Sequence, residues 1–181
     1  MKRLVAFGIF GAVLGLLASM PALAALKQGA KAPDFKARAT LGGKEFDFSL
    51  AEALKKGPVV LYFYPAAFTP GCTVEAHNFA EAMPKFQALG ATVIGVSQDK
   101  IATLDKFSVE ECRSAFPVAA DTSGNVSRSY DAMMVGFLGY SDRTSYVIAP
   151  DGNIIYAYRA LDPDHHAEYT MKAVADWKAK K

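Results

Sequence analysis

The sequence predicts an α/β fold: a central, mostly parallel sheet with helices on both faces, closed by an antiparallel hairpin. Two continuous apolar, β-rich runs carry this reading, residues 58–64 and 91–97. Strands buried on both faces read as uninterrupted apolar stretches. The second observation is order: strand and helix patterns alternate down the chain, as parallel crossovers require. The third is Pro150-Asp151-Gly152 between two apolar runs near the C-terminus, a strong hairpin signal.

Taken in order, residues 25–44 are largely polar and read as a lead-in segment with a turn at Gly42-Gly43. Residues 44–50 alternate, with Phe46, Phe48 and Leu50 on one face, and read as a short strand. Residues 58–64 are the buried central strand, ended by Pro65. Residues 73–89 read as a helix with Phe79, Met83 and Phe86 on one face. Pro84 lies inside it as a kink or a break, and Gly90 caps it. A second buried strand at 91–97 follows, then a helix at 101–112, a short strand at 116–120 and a short helix at 123–130. Strands at 145–149 and 153–158 form the hairpin, and a helix at 167–180 ends the chain. A β-α-β unit followed by a β-β-α unit resembles the thioredoxin-like plan.

The 181 residues suggest one domain behind a leader. Lys2-Arg3, an uncharged apolar run and Ala22-Leu23-Ala24 have the layout of a signal peptide, cleaved near Ala24. The 23 uncharged residues from Leu4 to Leu26 could just span a bilayer, but Gly, Ala, Ser and Pro dilute their end. The expectation is residues 1–24 as signal peptide and 25–181 as the domain, periplasmic or secreted, with no stable membrane association after cleavage. Lys and Arg total 20 against 18 Asp and Glu; without Lys2 and Arg3 the count is 18 against 18. A neutral domain gives no reason to expect nucleic acid as a partner. The two cysteines, Cys72 and Cys112, are too few for a disulfide scaffold. They show no metal-type Cys/His spacing, so neither metal nor cofactor is expected.

The chemistry lies in Tyr64-Pro65-Ala66-Ala67-Phe68-Thr69-Pro70-Gly71-Cys72, which follows a buried strand and opens a helix. Ligands in such sheets sit beyond the carboxyl ends of strands. A cysteine at a helix N-terminus meets unpaired N–H groups and the positive end of the helix dipole. Both favour the thiolate, which is the nucleophile. Pro65, Pro70 and Gly71 shape the backbone there, and Thr69 can offer a hydroxyl to the sulfur or to a bound oxygen.

Pro65-x-x-x-Thr69-x-x-Cys72 resembles the active-site signature of peroxiredoxins, nearest to the bacterioferritin-comigratory or Q-type branch. Phe63-Tyr64-Pro65, Gly71-Cys72-Thr73-x-Glu75 and Gly95-Val96-Ser97 support the resemblance, as does Arg143, two residues ahead of the strand at 145. It runs from about Gly29 to the C-terminus. The resemblance implies a thiol peroxidase acting on hydrogen peroxide and organic hydroperoxides. Cys72 would be oxidised to a sulfenic acid, then re-reduced by a thioredoxin-like or small-thiol donor. Thr69 and loop N–H groups would hold the peroxide, Arg143 would stabilise negative charge, Pro65 would shield the site, and Glu75 would orient the arginine.

One position departs from that branch. Five residues after Cys72, where many members carry a resolving cysteine, stands His77, read here as a surface or helix-packing residue. Cys112, 40 residues on, is either a resolving thiol, an inert thiol or half of a permanent bridge. Eleven helical residues would carry it about 16 Å from the active edge, whereas a disulfide needs Cα atoms within about 7 Å. Resolution through Cys112 therefore requires local unfolding.

Rival functions are tested by the same residues. A dithiol exchanger needs Cys-x-x-Cys, and Thr69 stands at the first cysteine position. A copper-delivery protein of this fold needs a second cysteine at Ala76, and His165-His166 reads as part of a solvated Asp-Pro-Asp-His-His loop. A redox sensor or chaperone without efficient turnover stays open, because turnover leaves no separate motif.

Overall fold

The computed structural model describes residues 25–134, 136 and 139–181; the expected signal peptide, residues 1–24, lies outside the described residues. A seven-stranded sheet runs in the order β2-β1-β5-β4-β3-β6-β7. Its strands are β1 (Lys36–Leu41), β2 (Lys44–Ser49), β3 (Val59–Phe63), β4 (Thr92–Ser97), β5 (Val118–Ala120), β6 (Thr144–Ile148) and β7 (Ile154–Arg159). The helices are α1 (Leu50–Leu54), α2 (Pro70–Ala88), α3 (Ile101–Glu110), α4 (Asn125–Ser129) and α5 (His166–Ala179). No described helix is long and apolar enough to cross a membrane.

β3 shows why the sequence folds this way. All of its residues are buried. Val60, Tyr62 and the following Tyr64 enter a core with Phe79, Met83 and Phe86 of α2, Leu104 and Phe107 of α3 and Val174 of α5. Val59, Leu61 and Phe63 enter the opposite core with Leu50 and Ala53 of α1 and with Tyr130 after α4. The two-residue period of a strand thus serves two apolar layers. Burying one such side chain contributes about 1.5–3 kcal/mol, so a strand loaded on both faces fixes the middle of the sheet.

The sheet is less parallel than the sequence suggests. Only β3–β4 and β4–β5 are parallel, whereas β1–β2, β1–β5, β3–β6 and β6–β7 are antiparallel. The difference comes from β1, in the stretch read as lead-in. Ala37 and Ala39 give its inner face little apolar weight. Across the turn, the exposed Arg38 meets Glu45 and Asp47 of β2 at 2.8 and 3.1 Å. Gly42 and Gly43 take φ of 57° and 75°, the left-handed pair that a two-residue hairpin turn demands. Phe46 stays 36% exposed, while Phe48 and Leu50 are buried, so the expected face is only partly inward.

α2 begins at Pro70, three residues ahead of the expected start. Thr69 is the extended N-cap and Pro70 occupies the first helical position, where a missing N–H costs nothing. Pro84 neither ends nor divides the helix. Gly90 N–H donates to the Gln87 carbonyl and Ala91 N–H to the Phe86 carbonyl, the paired bonds of a Schellman ending.

Candidate active site

β3 and β6 run antiparallel, with Phe63 opposite Thr144. The carboxyl end of β3 therefore lies beside the start of β6. Cys72 follows the first and Arg143 precedes the second, so two residues 71 apart in sequence meet at one edge. Arg143 Nη2 lies 3.6 Å from Cys72 Sγ. Arg143 Nη1 donates to Glu75 Oε2 in a buried ion pair. Its Nε donates to the Leu161 carbonyl at 2.9 Å, so all three guanidinium nitrogens are held. Cys72 and Glu75, three apart on α2, share a helix face and so share one arginine. The Arg143 amide donates to Asp142 Oδ1 at 2.7 Å, and Asp142 Oδ2 accepts from Arg159 Nε at 2.7 Å.

Cys72 is 2% exposed, with its sulfur facing the guanidinium from the first turn of α2. The first intrahelical bond in that turn runs from Thr73 N–H to the Thr69 carbonyl at 2.9 Å. The amides of Gly71 and Cys72 thus lie where a helix start leaves donors without an internal carbonyl. Gly71 leaves room for a close approach: a Cβ there would stand 3.0 Å from Arg143 Nη2.

The loop ahead of Cys72 is held by a carboxylate the sequence reading did not single out. Asp99 Oδ2 accepts from Ala67 N–H and from Ser97 Oγ, both at 2.8 Å. Phe68 takes φ of 64°, a left-handed backbone that costs a bulky residue on the order of 1–3 kcal/mol. Its ring packs edge-on to Phe107, with centroids 5.3 Å apart, which helps hold that conformation. Pro65 is half-buried on this loop.

Thr69 departs from expectation. It is exposed, and its hydroxyl donates to the Ala66 carbonyl at 2.9 Å. With its proton committed, what Thr69 offers a ligand is the lone pairs of Oγ1, which accept from an O–H.

His166 is the larger correction. The His-His segment is not a solvated loop throughout, because His166 is completely buried at the start of α5. Its Nε2 lies 3.0 Å from the Ala160 carbonyl, its Nδ1 2.7 Å from Ser145 Oγ and 3.6 Å from Glu75 Oε1. The signal was present: His166, Thr170 and Val174 form a stripe at helical spacing, and all three are buried.

Burial pushes the Glu75 carboxyl up to about 8, against the opposing pull of Arg143. Burial pushes the His166 imidazole down to about 4. Cys112 is a free, fully buried thiol just past the end of α3, and burial raises it well above the ordinary thiol range. Cys72 is free as well. Arg113 and Ser114, which follow Cys112, both take left-handed backbone, with φ of 52° and 54°. His77 is half-buried and pairs with Glu111 at 2.8 Å, tying α2 to the end of α3.

Chemically, the site offers one sulfur nucleophile facing a fixed cation, two helix-start amides and a hydroxyl acceptor. That set suits attack on an electrophilic oxygen followed by stabilisation of a leaving oxyanion.

Residues 28–157 match the model of the AhpC/TSA family. The chain is 33% identical over 122 residues to peroxiredoxin Bcp of Xanthomonas campestris, covering 64% of this chain and 75% of that one. It is 32% identical over 148 residues to the chloroplastic peroxiredoxin Q of Oryza sativa subsp. japonica, covering 81% and 66%. Among solved structures it is similar to peroxidoxin BcpB from Mycobacterium tuberculosis, with a TM-score of 0.76 and 31% identity over 83% of this chain and 97% of that one. Xanthomonas campestris peroxiredoxin Q superposes with a TM-score of 0.68 and 29% identity, covering 78% and 90%.

Proposed function

The chain belongs to the AhpC/TSA family, in its peroxiredoxin Q/Bcp branch, and is a peroxidase of the oxidoreductase class; from that premise we propose that Cys72 reduces hydrogen peroxide and organic hydroperoxides through a sulfenic acid. The observation that carries this reading is the guanidinium of Arg143 held 3.6 Å from Cys72 Sγ at the start of α2.

The Cys72 thiolate attacks the terminal, protonated oxygen of the hydroperoxide. The S–O bond forms as the O–O bond breaks, leaving Cys72 as S–OH and releasing hydroxide or alkoxide, which takes a proton from water. Thr69 Oγ1 accepts the peroxide O–H, while the Gly71 and Cys72 amides and Arg143 stabilise charge on the departing oxygen. Losing one such fixed donor typically slows a reaction about a hundredfold to a thousandfold. Organic hydroperoxides are supported by the Xanthomonas campestris bacterioferritin comigratory protein, 29% identical over 78% of this chain, whose structure is described in terms of alkyl peroxide reduction activity.

A thioredoxin-like or small-thiol donor then condenses with the sulfenic acid, releasing water and forming a mixed disulfide, which a second thiol reduces. Cys112 joins this cycle only when the turn after α3 opens. Its thiol is buried, its burial disfavours the thiolate, and the consecutive left-handed residues Arg113 and Ser114 make that turn the strained point beside it. The leader at residues 1–24 supports export to the periplasm or beyond.

The test is peroxide consumption with a dithiol reductant, with mass spectrometry of the oxidised protein. Wild type should turn over, and Cys72→Ser should lose activity while keeping its fold. If Cys72→Ser retains the rate, the reading fails. If Cys112→Ser over-oxidises at Cys72 where wild type forms an intramolecular disulfide, Cys112 resolves. If both accumulate only sulfenic or over-oxidised Cys72, the enzyme works with one cysteine.

A further inference from the structure

The line of contacts from the sulfur does not stop at Glu75. It runs Cys72, Arg143, Glu75, His166, and its last two members are each completely buried. The hydrogens along it can be assigned. The Ala160 carbonyl carries no proton, so His166 Nε2 must donate to it. A neutral ring then presents Nδ1 as a lone pair. Ser145 Oγ, 2.7 Å away, can donate to it, but Glu75 Oε1 faces the same nitrogen at 3.6 Å. That oxygen has no hydrogen-bond partner among the described residues, whereas Oε2 is taken by Arg143.

An ionised Glu75 beside a neutral His166 would therefore set two acceptors against each other in a dry interior. Arg143 answers one oxygen of the carboxylate, but Oε1 would be left as a buried acceptor with no donor, which costs free energy comparable to a lost hydrogen bond. One proton removes the conflict, either on Oε1 and directed at Nδ1, or on Nδ1 as an imidazolium directed at Oε1. In both forms the pair has no net charge. At 3.6 Å the separation is about 0.6–0.9 Å longer than an ordinary hydrogen bond, so sharing the proton requires the two side chains to draw together.

We propose that Glu75 and His166 share one proton between Oε1 and Nδ1 in the resting enzyme, so that the pair is neutral and the charge of Arg143 is directed at Cys72. His166 is then a positioning residue, acting on the sulfur through Glu75 and Arg143. The inference rests on the reading of Cys72 as the reacting thiolate. The upward displacement of Glu75 and the downward displacement of His166 both favour the form with the proton on the carboxyl.

The surrounding charges are few. Glu75 faces Cys72 on its own helix, Arg143 from the segment before β6, His166 from α5 and the buried Tyr62 of β3. His166 faces Ser145 of β6, the Tyr158 ring of β7 at 4.7 Å, and more distantly Arg143, Asp142 and Asp162.

The experiment is nuclear magnetic resonance of the reduced full chain, reading the His166 ring nitrogens and the Glu75 carboxyl carbon as pH rises from mildly acidic to mildly alkaline. The expected result is one proton between the two groups at neutral pH, lost in a single step on the alkaline side. In Cys72→Ser that step should move to lower pH by about one unit, because the thiolate no longer opposes a second negative charge nearby. An ionised carboxylate beside a neutral imidazole at neutral pH would overturn the proposal. So would a step that does not move in Cys72→Ser. No peroxide enters the measurement, so a neutral pair in a protein that consumes no peroxide would leave this inference standing and sink the peroxidase reading alone.

Discussion

Replacing Arg143 with methionine keeps most of the side chain's volume and removes its charge and its fork. Two routes give the size of the effect. At 3.6 Å from the sulfur, a unit positive charge attracts a thiolate by about 4.6 kcal/mol at an effective dielectric near 20. Loss of one fixed donor to a developing oxyanion independently costs about 2.7–4 kcal/mol in comparable sites. Since about 1.4 kcal/mol is tenfold, both predict a second-order rate with peroxide lower by about two to three powers of ten. The two describe one interaction before and during reaction, so they do not add. The assay is competition for a limiting pulse of hydrogen peroxide against a haem peroxidase whose own rate is known. Arg143→Lys separates charge from geometry: it keeps the cation, loses the bidentate fork and should fall between the two. Circular dichroism and a denaturant midpoint must show each variant folded, since Arg143→Met leaves the buried Glu75 Oε2 without its hydrogen-bond donor. A folded Arg143→Met within about threefold of wild type would refute the account of how this site stabilises charge.

Gly71→Ala should lower the peroxide rate by about tenfold with little change in stability, because its Cβ would press on an Arg143 nitrogen already pinned by its neighbours; equal rates in the competition assay would show that the guanidinium can yield without cost. The third prediction concerns acid. His166 lies at about 4 in the fold against 6.5 for an ordinary histidine. The unfolded chain therefore takes up a proton in that window that the folded chain refuses, and stability is lost as pH falls through it. His166→Gln has no such proton to take up, so its stability deficit relative to wild type should narrow between pH 6.5 and about 4. Urea midpoints across the window measure this, and a deficit that stays constant contradicts a buried neutral imidazole.

The parts of the molecule legible in sequence are those where one local rule acts alone. β3 could be read because a strand buried on both faces needs no polar alternation. The β6–β7 hairpin could be read because Pro-Asp-Gly permits few other conformations. The strand β1 could not, since its inner face carries only small apolar residues and its pairing follows from the Gly42-Gly43 turn, not from an apolar pattern. The start of α2 is obscured because Pro70 reads equally as a loop residue and as a first helical residue. Arg143 could be anticipated beside Cys72, because its place depends only on which strands are neighbours. His166 could not be paired with Glu75 in the same way. Its contacts come from α2, β6 and the chain after β7, so they exist only once three separate segments have packed. Thr69 was legible as a residue but not as a rotamer, because the Ala66 carbonyl that takes its proton belongs to the folded loop.

The pairing of Phe63 with Thr144 works as a ruler. Sulfur and guanidinium arrive on the segments that follow β3 and precede β6, and the ladder between those strands sets how far apart they stop. A slip of one residue in that ladder would turn every β6 side chain to the other face and carry Arg143 away from Cys72. Misregistered molecules would then be inactive, with no graded intermediate between a working site and a broken one. Active-site titration of a refolded sample would in that case count correctly threaded chains, and the enzyme would serve as the gauge of its own folding.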